Sequence, residues 1–207
     1  MMSYRQEPPI YAYALHGNCY LNLSSRCNLR CHFCPRLDNE WDVQSYNLRL
    51  TRSQEPGAEE VLQAVGDPSS FQELVFCGLG EPTLRLDTLV TVGQALRRRG
   101  AGVRLNTNGL ANQYHGRDVT AELATAVDAI SISLNAQDAT TYERHCRPKQ
   151  PGAYAALLDF IGRAREHIPD VTVTAVAGLE GVDSDACARI AAELGVKFRS
   201  RPLDQVG

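Results

Sequence analysis

The sequence predicts an α/β protein built around a parallel sheet, and three observations carry that prediction. Six short β-prone runs alternate with helical stretches along the chain, the pattern of consecutive β/α units. The longer helical stretches place apolar residues at helical spacing, and two of them stop at glycines, Gly100 and Gly195. Several strands have one apolar and one polar face, whereas a parallel sheet covered by helices on both sides should read as nearly continuous apolar residues. Ile130, Ile132 and Leu134 oppose Ser131, Ser133 and Asn135. Leu105 opposes Arg104, Asn106 and Asn108, and Leu21 and Leu23 oppose Asn22 and Ser24. A curved sheet whose polar face lines a ligand cavity accounts for this better than a doubly wound open sheet. The expected architecture is a six-stranded (β/α)6 partial barrel.

The elements follow in order. Residues 1–17 read as a lead-in, and Cys19–Ser24 as the first strand. Residues 35–56 read as a long loop holding Trp41 and Tyr46, with Leu48-Arg49-Leu50 as a candidate short strand. A loop of that length inside a compact domain is usually functional. Gly57–Val65 is a helix whose Glu59 and Glu60 suit its N-terminal dipole. Glu73–Cys77 is the second strand. Asp87–Arg99 is a helix with Asp87 as its cap and Gly100 as its stop, and the Arg97-Arg98-Arg99 triplet suits its C-terminal end. Val103–Asn108 is the third strand, Thr120–Val127 a short helix and Ala129–Asn135 the fourth strand. Ala153–Ile168 is the clearest helix, with Tyr154, Leu157, Leu158 and Ile161 on one stripe. Val171–Ala177 is the fifth strand. Asp183–Leu194 carries Ala186, Ile190 and Leu194 on one face, with Gly195 just past its end. Val196–Arg201 is the sixth strand. Residues 1–207 are therefore read as a single domain.

Hydrophobic residues make up 43 % and charged residues 22 %, a globular balance that excludes disorder, collagen and coiled coil as the main description. A chain of 207 residues buries roughly 70 % of its unfolded surface and needs no disulfide framework. No apolar run approaches the ~18 residues that span a bilayer. Met1–Pro9 lacks the apolar core of a signal peptide, so a cytoplasmic protein with no membrane partner is expected. With 21 basic against 24 acidic residues, nothing favours a polyanion, and nucleic acid is not indicated.

The cysteines carry the chemistry. There are seven, at 19, 27, 31, 34, 77, 146 and 187, an odd set that does not suggest a secreted disulfide scaffold. Three of them form Cys27-Asn28-Leu29-Arg30-Cys31-His32-Phe33-Cys34, a C-x3-C-x2-C pattern directly after the first strand. In β/α barrels the C-terminal strand ends hold the active site. Three thiolates on one loop can hold three corners of an iron–sulfur cube, and no fourth Cys follows at ferredoxin spacing. One iron would then lack a protein ligand. Zinc is the competing reading, but it wants four ligands, usually from two half-sites, and His32 lies too close to Cys31 to complete one. His32 reads as an exposed loop residue. Cys77 and Cys187 read as buried structural cysteines, and Cys146 as a loop cysteine at the same end of the sheet.

The C-x3-C-x2-C pattern with Phe33 before its last cysteine resembles the signature of the radical SAM superfamily. The resemblance implies a [4Fe-4S] cluster on Cys27, Cys31 and Cys34, with S-adenosylmethionine (SAM) chelated to the open iron. A reduced cluster then cleaves SAM to a 5′-deoxyadenosyl radical that abstracts hydrogen from a substrate. Phe76-Cys77-Gly78-Leu79-Gly80-Glu81-Pro82-Thr83-Leu84, whose Gly78 stands 44 positions after Cys34, resembles the family's GGEP turn with the glycine doublet interrupted by Leu79. By that resemblance Gly78, Leu79, Gly80 and Glu81 meet the SAM ammonium. Glycines let backbone approach a ligand, and a carboxylate accepts from a cation. Further implied SAM contacts are Phe33 near the adenine, Asn108, Ser133, Asn135, and Arg147 against the carboxylate. Plainer readings stand beside them: Phe33 as loop packing, Asn108 as a left-handed turn residue before Gly109, Asn135 as a helix cap. Arg199 and Arg201 read equally as cavity residues or as a solvated strand end.

The resemblance covers roughly Asn18 to Leu203 and implies a partial TIM-type barrel. Within the superfamily the Phe-Cys-Gly-Leu-Gly-Glu-Pro turn and the Ser-Ile-Ser-Leu-Asn-Ala strand are similar to the small TatD-associated radical SAM proteins. An external flavodoxin- or ferredoxin-like electron donor is implied. The substrate, a small molecule or a partner protein, is not legible, and the chain looks short for the superfamily. The alternative is an Fe–S electron carrier or a metal-binding interaction module, which has no use for an open iron or for the Gly78–Glu81 turn.

Overall fold

The computed structural model describes residues 8–203. Met1–Glu7 of the segment read for a targeting signal lie outside them. The described residues form a mixed α/β fold on a seven-stranded, mainly parallel sheet. Its order is β1 (Ala12–Leu15), β2 (Asn18–Leu21), β5 (Leu74–Phe76), β6 (Val103–Thr107), β7 (Ala129–Ser133), β8 (Asp170–Ala177) and β9 (Lys197–Pro202). β1 runs antiparallel to β2, and every later pair is parallel. The six expected strands are all present, and the count of six is corrected by one. β1 lies inside the stretch read as a lead-in, where His16 and Gly17, both at positive φ, turn a tight hairpin into β2.

The loop 35–56 is also corrected. It contains a small hairpin, β3 (Asp42–Val43) with β4 (Tyr46–Asn47), and two 3-10 turns, Pro35–Asp38 and Arg52–Gln54. The strand expected at Leu48–Leu50 is replaced by β4 just before it. Val43 and Leu48 are buried with Tyr13 against Tyr20, Tyr46 and Leu79. Tyr13 stacks on Tyr20 at 5.4 Å and meets Tyr46 at 5.3 Å. The segment therefore covers the polar face of the sheet at its β1–β2 end.

Helices occupy the other face. They are α1 (Ala58–Val65), α2 (Leu86–Arg98), α3 (Ala111–His115), α4 (Thr120–Ala124), α5 (Ala139–Cys146), α6 (Ala153–His167) and α7 (Ser184–Glu193). Phe76, Leu105, Ile130, Ile132 and Val173 share one core with Leu89, Val92, Leu96, Leu157, Phe160 and Ile161. Glu60 accepts from the Gly57 N–H at the start of α1, and Asp183 caps α7 through Ala186 N. Asp87 is not a cap, because α2 begins one residue earlier, at Leu86. α3 and α5 were not expected. α5 carries neighbouring threonines, Thr140 and Thr141, that mask its helical signal. Its cap is Asp138, which accepts from Thr141 N, so Asn135 does not cap it.

Candidate functional site

The cysteine loop leaves β2 at the C-terminal edge of the sheet and is held from several sides. Arg36 donates to the carbonyls of Ser25 and Leu29, closing the loop on itself. The Arg30 and His32 amides donate to the carbonyls of Cys146 and His145, at the end of α5. The Lys149 ammonium reaches the Cys27 carbonyl at 2.8 Å. At the loop's start Glu55 accepts from Ser24 Oγ, takes both arms of Arg26 and bonds Arg85.

The Gly78–Glu81 turn is packed onto the same loop. The Glu81 amide donates to the Arg26 carbonyl at 2.7 Å. A Cβ on Gly80 would stand 2.0 Å from the Ser24 carbonyl oxygen, and one on Gly78 2.6 Å from Asn22 Oδ1. Both glycines are required by contacts within the protein, whatever a ligand adds. Glu81 is 3 % exposed and fully engaged. Its Oε1 accepts from Thr83 N, Thr83 Oγ1 and Thr107 Oγ1, and its Oε2 accepts from Asn108 N. Burial pushes its pKa up, against the pull of those donors. In this structure the carboxylate ties the turn to the end of β6. Leu79 leans into the Tyr13–Leu48 cluster.

Asn108 joins β6 to the cysteine loop. Its amide donates to Asn28 Oδ1 at 2.6 Å and lies 3.7 Å from Cys27 Sγ, while its Oδ1 accepts from Leu110 N. The left-handed residue of that turn is Gly109, at φ 75°, and Asn108 is not at positive φ. Asn135 is left-handed, 2 % exposed, and places its amide 3.7 Å from Cys146 Sγ, with its Oδ1 buried and unpartnered. Ser133 ends β7 opposite Thr174. Arg147 is the left-handed cap of α5, with an exposed side chain. Phe33 stacks edge-on against His32 and touches the core.

The structure thus bonds Glu81 and Asn108 directly to the loop that carries Cys27, Cys31 and Cys34, and packs Gly78 and Gly80 against the end of β2 and the residues leading into that loop. It joins Asn135 to them by way of Cys146. It does not show what Ser133, Arg147 or Phe33 would touch in a ligand.

One participant was misread in the sequence and one pairing was missed. Cys146 is not in a loop: it ends α5, is fully buried, and its carbonyl accepts from the Arg30 amide of the cysteine loop. His32 is exposed as expected, but its Nε2 bonds Nδ1 of the buried His145, whose own Nε2 faces the Glu180 carbonyl. A carbonyl only accepts, so His145 carries its proton on Nε2 and His32 donates from Nε2. No local pattern signals either pairing, since both depend on α5 docking against the loop.

The donor set fits an iron–sulfur cluster. Three partly exposed thiols share one loop at a strand end. Burial, aided by the Glu81 charge, pushes Cys27 up to about 11. The hydrogen bond with Cys146 and burial raise Cys31, and burial raises Cys34 against the opposing charge of Arg36. Thiols so placed become thiolates when a cationic metal centre compensates their charge. Among the described residues no three His, Cys, Asp or Glu side chains gather closely enough for a single metal ion.

Comparison with known proteins gives the same answer over most of the chain. Residues 21–194 match the family model described as the Radical SAM superfamily. The chain is 30 % identical, over 122 residues, to the tungsten-containing aldehyde ferredoxin oxidoreductase cofactor-modifying protein of Pyrococcus furiosus. That match covers 56 % of this chain and 30 % of the relative. The fold is similar to TYW1 with a lysine–pyruvate adduct bound, at a TM-score of 0.61 and 16 % identity, over 90 % of this chain and 65 % of that one. It is also similar to Streptococcus suis SuiB bound to S-adenosylmethionine, at 0.64 and 14 %, over 90 % and 38 %. The chain thus spans less than two thirds of the length of each of these three relatives. With the family matched from β2 into the end of α7, and the three-cysteine loop locked to the Gly78–Glu81 turn, the chain belongs to the radical SAM superfamily, a family of enzymes that uses a [4Fe-4S] cluster and SAM.

Proposed function

We propose that this chain is a single radical SAM core domain that cleaves SAM reductively and abstracts hydrogen from a substrate. The observation that carries this reading is the direct bonding of three motif elements: the cysteine loop, the Gly78–Glu81 turn and the Asn108 corner. Cys27, Cys31 and Cys34 would hold the cluster. Gly78, Leu79, Gly80, Asn108, Ser133, Asn135, Arg147 and Phe33 would surround SAM, with Glu81 fixing the turn among them. When bound, the cluster supplies one electron to the SAM sulfonium and so a 5′-deoxyadenosyl radical. The protein's own part is positioning. Glu81 aligns the turn with β6, Asn108 steadies the Cys27 sulfur, and residues 41–48 cover one end of the polar face. A six-strand parallel partial barrel, edged by β1, is the shape we infer. The polar face and the reach of the Arg201 charge from β9 to Cys77 on the far side of the sheet support it.

A flavodoxin- or ferredoxin-like donor would supply the electron. The substrate would be a small molecule or a partner protein, and the relative named for modifying a cofactor favours the former. Among the described residues no helix is long and apolar enough to cross a membrane, and we place the protein in the cytoplasm.

The test is anaerobic reconstitution with iron and sulfide, reduction with dithionite, addition of SAM, and assay of 5′-deoxyadenosine beside iron content. About four irons per chain and cysteine-dependent deoxyadenosine are expected. Cys27→Ala, Cys31→Ala or Cys34→Ala should abolish both. Iron bound without measurable SAM affinity would favour an electron carrier instead.

A further inference from the structure

The polar face of β7 and β8 carries hydrogen-bonding capacity that the described residues do not use. Register sets Ser131 beside Thr172 and Ser133 beside Thr174. Neighbouring strands lie about 4.8 Å apart and same-face residues on one strand roughly 6.6 Å apart, so these four side chains form a two-by-two grid. Ser131 and Thr174 are buried, at 7 % and 3 % exposure. Among the described residues none of the four hydroxyls has a hydrogen-bond partner, yet none is fully occluded. Each therefore opens onto the space above the sheet.

β9 borders the grid with cations. Thr174 pairs with Arg199 and Val176 with Arg201, so both guanidiniums rise from the grid's own face, while Phe198 packs on the core behind it. The acidic groups along this face are already engaged: Asp170 pairs with Lys197 at 3.1 Å and Glu73 with Arg104 at 2.9 Å. Arg199 is exposed and has no ion pair among the described residues. The Arg201 charge extends over the face, where it opposes the burial that raises the Cys77 thiol.

We propose that this face is a subsite for the oxyanion end of the substrate, a carboxylate or phosphate group. Arg199 and Arg201 anchor the charge, and Ser131, Ser133, Thr172 and Thr174 read the oxygens beside it. A guanidinium suits this role because its fork of donors grips an oxyanion at two points. Ser133 lies where the subsite meets the proposed SAM contacts, so anion and radical source would be neighbours. The inference rests on the radical SAM reading for what happens to the bound molecule, and not for its binding.

The experiment is calorimetric titration of the cluster-free full chain with succinate and, separately, with inorganic phosphate at low ionic strength. At least one of the two should bind, and the tighter one identifies the oxyanion class. R199Q/R201Q should weaken that binding by about tenfold or more, the loss of one charge-assisted contact. If the double variant does not fold, R199Q alone, altered only at an exposed side chain, carries the same criterion. No binding of either anion to the wild type, or a smaller loss in the variant, overturns the proposal. The titration needs neither cluster nor SAM. An anion site in a protein that makes no deoxyadenosine would therefore sink the radical SAM reading alone.

Discussion

Around β2, β5 and β6 many polar side chains are tied to one another; on β7 and β8 the hydroxyls of Ser131, Ser133, Thr172 and Thr174 are not. In the first region Glu81 accepts four hydrogen bonds, Glu55 binds Ser24 and two arginines, and Asn22 donates to the carbonyls of both Ile10 and Leu48. In the second, four hydroxyls stand without protein partners beside Arg199. A dense network of buried hydrogen bonds, even with Asn22 Oδ1 and Asn106 Oδ1 left unpartnered, fixes one geometry, which suits a resident cofactor. Unused capacity suits a ligand that arrives and leaves. The two regions lie on one sheet, so a matched set of substitutions can test the contrast.

Gly80→Ala should do the most damage. The new Cβ meets backbone, which cannot swing aside as a flexible side chain would. A loss of about 3 kcal/mol or more is expected, or roughly 6–12 °C in Tm for a chain this size. Thermal unfolding of the cluster-free protein reads it directly. A Tm within a few degrees of wild type would mean that the loop and turn are not locked together.

Glu81→Gln should come next. The amide places an NH2 where either Asn108 N or the Thr83 and Thr107 donors need an acceptor, so at least one buried donor is left unpaired. That costs about 2 kcal/mol. Denaturant unfolding measures it, and a loss below about 0.5 kcal/mol would mean that the carboxylate is free for a ligand after all.

Much of this contrast was legible before the fold. Period-two alternation in Ala129–Ser133 and the i, i+3, i+4, i+7 stripe of Ala153–His167 are local signals, and both elements formed where expected. The polar face was legible for the same reason. What stayed hidden depends on distant packing. β1 is four residues long and gains its meaning only from pairing with β2. α5 hid behind its threonines, and with it went the burial of Cys146 and the His32–His145 pair. Glu81 was read as a ligand group because its type and neighbours suit one. Two of its four bonds come from nearby Thr83, the other two from Thr107 and Asn108 at the end of β6, and no spacing rule shows that distant convergence.

Glu55 gives the contrast a pH signature. Burial works against its charge, but Arg26, Ser24 and Arg85 outweigh it and hold its pKa below the ordinary value of 4.5. A carboxylate with a depressed folded pKa contributes stability that is present above its unfolded pKa and lost as pH falls through the folded one. Wild-type stability should therefore fall below about pH 4.5. Glu55→Gln should lower stability by about 1 kcal/mol at neutral pH, because Arg26 is partly screened by solvent, and should flatten the acid limb. An acid limb as steep in the variant as in the wild type would assign it to other carboxylates.

Thr172→Val should have the smallest effect, and it separates the two regions most cleanly. Valine keeps the β-branched shape and the strand preference of threonine, so packing and backbone are unchanged. The only group removed is a hydroxyl with no partner among the described residues, and that hydroxyl's hydrogen bonds are to solvent. A stability change within about 0.5 kcal/mol is expected, a gain as readily as a loss. The same exchange at Thr107, whose hydroxyl bonds Glu81 at 2.7 Å, should cost about 1–2 kcal/mol because a buried carboxylate loses a donor. The two variants make the same chemical change in neighbouring parts of one sheet. If their unfolding free energies shift equally, the bonded hydroxyl of Thr107 and the unbonded one of Thr172 are equivalent for stability, and the division drawn here is wrong. If only Thr107→Val is destabilised, the hydroxyls of β7 and β8 are not there for stability, and ligand binding is the role left for them.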